Sequence, residues 1–386
     1  MVDLFAGAGG LSAGLAEAGF QCLLASEIEQ AFARTFQANH PATHLFIDDI
    51  RKIESMAFLR TTGLAKRELD LLAGGPPCQG FSVNAPIRSL DDQRNHLFSE
   101  FMRLAKAFLP KFILLENVPG MVSLARGSVV RQIYQALEAL DYQVDHAILF
   151  AAHYGVPQIR YRTIILANRL GFRPQFPAPT HDAKGRPNFS GGRDLCMRPL
   201  TLFESGLKPH VSVWDAISDL RDNPVDGEDE KQRYAHEAES AYQRKCRERR
   251  SWVRNHQAMR ISEINKERLA HIPQGGSWRD IPFDLLPEGM KRARRSDHTK
   301  RYGRLDPEGL CSTILTKCDP HWGSFFHPTL DRVISVREAA RLQSFSDRFT
   351  FAGTMTDQYK QVGNAVPPLL GKALGRQIRK QLCSKI

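Results

Sequence analysis

Cys78 stands in residues 69–84, LDLLAGGPPCQGFSVN, just past an apolar run (Leu69, Leu71, Leu72, Ala73) of strand length and strand character. The run stops at Gly74-Gly75, and Pro76-Pro77 stiffen the turn, so the thiol emerges at a fixed angle beyond the end of a strand. In open α/β sheets that edge, outside the carboxyl ends of the strands, is where ligands sit. A lone cysteine is about as often a small core hydrophobe, so Cys78 alone decides nothing. Glu116, in Glu116-Asn117-Val118-Pro119-Gly120, closes a second buried-type strand at 111–115 (KFILL). A carboxylate ending an apolar strand beside a Pro-Gly turn is seldom placed there for packing. Arg160 and Arg162 precede a third strand at 163–167, and at i and i+2 of an extended segment they share a face.

The elements that must position these groups alternate between strand and helix. Residues 1–20, MVDLFAGAGGLSAGLAEAGF, read as strand, glycine-rich turn and helix, with Gly7, Gly9 and Gly10 permitting close backbone approach to a ligand. The turn lacks GK[ST], so no P-loop phosphate cradle is indicated. A short strand, 21–26, puts Glu27 about twenty residues beyond the first glycine, where dinucleotide-type folds grip a ribose diol. Glu27 could equally just open the helix expected at 29–39. Asp48, Asp49 and Ile50 follow another apolar piece at 45–47, a helix at 97–108 precedes the strand at 111–115, and a helix at 129–140 separates that strand from one at 143–150. Such alternation predicts a mostly parallel sheet flanked by helices. It breaks down after residue 173. From there to about 330 the chain is irregular and basic, interrupted by Trp214, Trp252, Trp278 and Trp322, which reads as a second, smaller domain. Residues 335–349 have helical character with a basic face, and Gln361–Pro368 leads into a last helix.

Composition narrows the classes. The chain has 386 residues and a formal charge of +11. Residues 244–304 hold 17 Lys/Arg against 7 Asp/Glu, a surplus of 10 of those 11 charges. A charge run is often only a solvated face, but a surplus confined to one segment suits a polyanion. The seven cysteines form no close CxxC pair, which argues against zinc and disulfide frameworks and leaves no metal site expected. No run approaches a membrane span and no signal peptide is evident, so a cytoplasmic, nucleoid-associated location with no membrane partner is expected.

In this order the segments DLFAGAGGLSAG, SEIE, DDI, GGPPCQGFS, ENVPG, QIRYR, a variable basic insert, REAARLQSF and QVGNAVPP resemble the DNA cytosine C5-methyltransferases of the bacterial modification type. The resemblance spans nearly the whole chain. It implies a Rossmann-like S-adenosylmethionine-dependent methyltransferase fold, with a catalytic and cofactor domain at 1–178 and 355–386 and a target-recognition domain with hinge at 179–354. It makes Cys78 the nucleophile that adds to cytosine C6, Glu116 the acid at N3, and Arg162 the group on O2 with Arg160 beside it. S-adenosylmethionine, leaving as S-adenosylhomocysteine, would be lined by Phe5, Gly7, Gly9, Gly10, Leu11, Glu27, Ile28, Asp49, Ile50, Pro77, Leu97, Asn364, Ala365 and Val366. The target cytosine must leave the duplex stack, and the loop at 79–95, with Gln79, Ser82 and Arg94, would close over it. Arg254, Arg260 and Thr316 are expected to contact double-stranded DNA. The protein is expected to act as a monomer, with a cognate restriction endonuclease encoded nearby.

Three rivals make different demands. A tRNA cytosine methyltransferase would share the chemistry, but the large basic insert and the PPCQGF form favour DNA. A catalytically silent DNA-binding regulator would not need thiol, carboxyl and both arginines together. A nicotinamide oxidoreductase on the same glycine turn would leave PPCQ and QIRYR unexplained.

Overall fold

The computed structural model describes residues 1–77, 96–123, 127–185, 206–226, 231–297 and 300–384. The chain divides into two compact units: Met1–Tyr154 with Tyr161–Leu207 and Pro368–Ile386, and Gly155–Arg160 with Lys208–Pro367.

The first unit is built on seven strands: β1 (Val2–Leu4), β2 (Leu24–Ser26), β3 (His44–Phe46), β4 (Leu71–Gly74), β5 (Phe112–Asn117), β6 (Gln143–Phe150) and β7 (Tyr161–Asn168). Their order is β3-β2-β1-β4-β5-β7-β6. The pairs from β3 through β5 are all parallel, whereas β7 runs antiparallel to both β5 and β6. The reversal follows from length. Residues 151–160 are too few for a crossover helix, so the chain can only turn back beside β6. Helices α1 (Gly10–Glu17), α2 (Gln30–Asn39), α3 (Ser55–Thr62), α4 (His96–Phe108), α5 (Gly120–Ser123) and α6 (Ser128–Glu138) connect the parallel strands. Val2, Leu4, Leu72, Phe101, Leu104, Phe108, Ile113 and Ile165 are buried in one apolar core, which explains the near-continuous hydrophobic runs of the central strands. The C-terminal helix, Pro368–Cys383, returns to this unit and packs on α1, with Lys372 paired to Glu17 at 2.7 Å.

Strand order reverses between β1 and β4, neighbours that lead to opposite halves of the sheet. Such a switch point opens a crevice at the carboxyl ends of the strands. The glycine turn leaves β1 there, and Gly75-Pro76-Pro77 leaves β4 there.

The second unit has little regular structure: α7 (Val213–Ile217), α8 (Ala241–Arg247), α9 (Glu263–Ala270), α10 (Glu288–Lys291), α11 (Val336–Leu342), α12 (Met355–Asn364) and two short strand pairs. One part of its interior is apolar, around Leu269, Ile272, Trp278, Met290 and Phe326. Another part is ionic. Arg341 pairs with both Asp219 and Asp347, Arg247 pairs with Asp219, and Arg332 pairs with Glu338 at 2.7 Å. The expected basic face at 335–349 is therefore corrected: Arg337 and Arg341 of α11 are wholly buried. Arg337 spends its guanidinium on the carbonyls of Arg254, Ser346 and Phe349 and on Asn255 Oδ1. A helical charge pattern cannot tell a solvated arginine from one enclosed by acceptors that lie far along the chain.

Candidate active site

Glu116 is the penultimate residue of β5, inside the strand rather than after it, and Arg162 is the second residue of antiparallel β7. Because β5 and β7 run in opposite directions, the end of one meets the start of the other, Asn117 opposite Thr163. That register puts Arg162 Nε 2.6 Å from Glu116 Oε1, both side chains largely buried at 11% and 13% exposure. The Arg162 guanidinium also donates to the Tyr161 carbonyl at 2.8 Å. Burial pulls the Arg162 pKa down while the Glu116 charge pushes back. An ion pair this enclosed is a fixed arrangement rather than a surface contact.

The turn after β4 lies against the same carboxylate. A side chain at Gly75 would begin 3.0 Å from Glu116 Oε2, so glycine leaves the space beside the acid open. Asn117, which sequence reasoning passed over, ties the two segments together. Its buried side-chain amide donates to the Pro76 carbonyl at 3.0 Å, and its oxygen accepts from Val118 N at 2.9 Å. The GGPP turn is thus clamped to the end of β5 at Pro76, two residues before Cys78. Cys78 itself, with Gln79, Ser82 and Arg94, lies outside the described residues. The signal for Asn117 was its place beside Glu116, and only the partner across the sheet gives it a task.

Around the glycine turn, Glu27 is buried, and both its oxygens accept from backbone amides: Oε2 from Gly7, Oε1 from Ile28 and Glu29, all at 2.8 Å. Burial raises its pKa against those hydrogen bonds. Glu27 therefore shapes the crevice by linking the β1 turn to the β2 turn. Gly9 is left-handed at φ +94°, and a Cβ there would run into His40, whose Nε2 is 3.2 Å from Gly9 O. Phe5 also takes a positive φ of 56° and packs partly buried against the core, as does Leu97. Ile28 is 59% exposed, an apolar side chain standing in the open beside Glu27.

The other expected cofactor residues differ in their surroundings. Leu11 is buried, its side chain turned to Gly371 of the C-terminal helix, and Ile50 is part of the core. The Asp49 carboxylate takes a bidentate ion pair from Arg51, which lowers its pKa. Gly10 is buried at the start of α1, and Pro77 is exposed.

Arg160 belongs to the second unit, and its guanidinium goes to backbone: NH2 donates to the carbonyls of Gly363 and Ala365, each at 2.9 Å. Gln158 accepts from Ile314 N at 3.2 Å and donates to the Leu342 carbonyl and to Gln343, while Gln343 holds the Val362 and Ala365 carbonyls. These side chains fix the backbone that carries Asn364, Ala365 and Val366. A Cβ at Gly363 would come 2.3 Å from the Leu315 carbonyl, so only glycine lets the end of α12 meet the loop carrying Thr316. Arg254, Arg260 and Thr316 are all exposed. Among the described residues, no group of three or more His, Cys, Asp or Glu could hold a metal, and no helix is long and apolar enough to cross a membrane.

Known proteins of one family resemble the chain over nearly its full length. The model of the C-5 cytosine-specific DNA methylases matches residues 1–380. The chain is 33% identical to the Type II methyltransferase M.AgeI of Thalassovita gelatinovora, over 98% of both chains. It is also 33% identical to the Type II methyltransferase M1.HphI of Haemophilus parahaemolyticus, over 98% of this chain and 86% of that one. The crystal structure of a prophage-encoded protein assigned as a DNA modification methyltransferase (E. coli) is similar at a TM-score of 0.73 and 25% identity, covering 99% of each chain.

Proposed function

The chain belongs to the C-5 cytosine-specific DNA methylase family and is a DNA (cytosine-5)-methyltransferase; from that premise we propose that it methylates C5 of a cytosine swung out of duplex DNA, through a transient bond between Cys78 and C6. The observation that carries this reading is the Glu116–Arg162 pair held against the turn that delivers residue 78. Cytosine C5 is a poor nucleophile. A thiolate adding at C6 breaks the aromaticity and pushes electron density to C5 and N3. Glu116, once it has taken up a proton from solvent, supplies it at N3, and Arg162, paired beside it, binds O2 of the same ring edge. The methyl group then joins C5, the C5 proton departs to a base, and the C6–S bond breaks with its electrons returning to sulfur. The positive charge of Arg162 also favours the thiolate form of a nearby cysteine.

The methyl donor that the family implies is S-adenosylmethionine, whose sulfonium supplies an electrophilic methyl. The residues present suit it. Glu27 offers carboxylate oxygens at the end of β2 for a ribose diol, exposed Ile28 offers a flat apolar contact for adenine, and the glycine turn offers backbone. Phe5, Gly7, Gly9, Gly10, Leu11, Asp49, Ile50, Pro77, Leu97, Asn364, Ala365 and Val366 complete the proposed set. Arg160 acts as a positioning residue here, holding the backbone of residues 363–365 rather than the base. Arg254, Arg260 and Thr316 remain the proposed DNA contacts, and membership among Type II enzymes makes a partner endonuclease the expected companion. Bisulfite sequencing of DNA from cells expressing the wild type and Cys78→Ala tests the reading. A fixed methylated sequence that vanishes in the variant supports it, and methylation surviving in the variant overturns the nucleophile.

A further inference from the structure

We propose that Trp322 is a nucleobase-stacking residue of the second unit, contacting the bases of bound DNA rather than its phosphates. Of the four tryptophans, Trp278 is buried, Trp214 and Trp252 are half-buried, and Trp322 alone is exposed, at 54%. An indole left in water forfeits most of the burial that makes tryptophan worth having in a fold. Nor is it loosely held. Trp322 N donates to the Asp319 carbonyl at 3.0 Å, His321 N donates to Asp319 Oδ1 at 2.9 Å, and Tyr302 N donates to the Pro320 carbonyl at 2.7 Å. The His321 ring stands perpendicular to the indole at 4.9 Å, and the Arg301 guanidinium lies 5.0 Å from the ring centroid. The side chain is presented on a fixed loop with a cation over the ring, leaving the opposite face for a base.

Its neighbourhood favours a nucleic acid. Gly303–Arg304 pairs with Ser324–Phe326, which sets Trp322 beside the end of the cationic segment that runs through Arg292, Arg294, Arg295, Lys300 and Arg301. Arg292, Arg294, Arg295 and Lys300 are exposed. Thr316 and Lys317, a few residues before the tryptophan, are exposed as well. Cations interleaved with a pre-set aromatic suit a strand whose phosphates are neutralised while a base stacks, a contact that costs about 10-fold or more in affinity when removed.

This inference rests on the DNA methyltransferase reading, and one titration separates the two. Binding of the full-length protein to a duplex bearing its methylated sequence is measured against salt for wild type, Trp322→Ala, Trp322→Phe and Arg294→Ala. A stacking role predicts that Trp322→Ala binds about 10-fold or more weakly with an unchanged salt slope, and that Trp322→Phe recovers most of the loss. Quenching of wild-type tryptophan emission by the duplex, lost in Trp322→Phe, supports the same contact even if the alanine variant does not fold. Unaltered affinity in Trp322→Ala, or a loss accompanied by a smaller salt slope like that of Arg294→Ala, overturns the inference while wild-type methylation stands. A wild type that neither binds nor methylates DNA overturns both.

Discussion

Glu116 and Arg162 are each half of a device. An arginine buried without a carboxylate, or the reverse, would leave an uncompensated charge, so neither can be removed cheaply. Glu116→Gln keeps the shape and removes the acid. Single-turnover methyl transfer is expected to slow by about 10²–10⁴-fold with S-adenosylmethionine affinity little changed, and a near-normal rate would mean that another group protonates N3. Asn117→Ala frees the Pro76 carbonyl from its clamp. Its expected signature is a fall in turnover without a matching loss of cofactor or DNA affinity, since its side chain serves to hold the Pro76 and Val118 backbone. Asp3, buried under the glycine turn with Ser12 Oγ at 2.6 Å, has its pKa raised by burial to about 7. Its unfolded value is near 3.8, so its contribution to stability is whole below that pH and lost as pH rises through 7. Asp3→Asn is therefore expected to raise the melting temperature above pH 7 more than at pH 4, and an equal shift at both would show that the carboxyl does not titrate as described.

At the scale of elements, the sheet and its switch point were legible because each strand is a short apolar run closed by glycine, proline or a carboxylate. Hydrophobic runs locate a strand well but its last residue poorly, so Glu116 and Arg162 were expected just outside strands that in fact contain them. Parallel pairing was legible from the helices between strands. The antiparallel β7 followed only from the shortness of residues 151–160. Helix α12 was missed although Thr354 and Asp357 form a capping box, since QVGN at its end reads as a turn. Partners more than a hundred residues apart, such as Arg160 with Gly363 and Ala365, leave no local pattern at all. Gly363→Ala tests one such contact. With a Cβ forced 2.3 Å from the Leu315 carbonyl, we expect the second unit to lose about 1–3 kcal/mol in denaturant unfolding, and a neutral substitution would mean the loop yields freely.

For the molecule as a whole, charge is sorted rather than spread. Two arginines of residues 244–304 are largely buried: Arg247 pairs with Asp219, and Arg304 donates to the Leu269 carbonyl. The net surplus therefore overstates the number of cations facing DNA. The ionic interior also sets acid stability. Burial lowers the pKa of His256 and of His327 to about 4, and Asp347, beside Arg341, is held near 2. Unfolding lets both histidines take up protons below their ordinary value of 6.5. Stability from them is complete above 6.5 and falls as pH drops toward 4, with the carboxylates adding their loss at lower pH still. Melting followed from pH 7 down to 4 is expected to show that decline, flattened if both histidines become glutamine.

The proposed reaction requires sulfur at position 78 to join the pyrimidine, with Glu116 and Arg162 proposed to hold the ring. A duplex carrying 5-fluorocytosine at the methylated position traps that bond, because fluorine cannot leave C5 as a proton does. In the presence of S-adenosylmethionine the wild type is expected to give a denaturation-resistant protein–DNA adduct whose peptide map ends at Cys78, and Cys78→Ser none. Methylation of ordinary DNA with no adduct on the fluorinated duplex, or an adduct mapped to another residue, would contradict it.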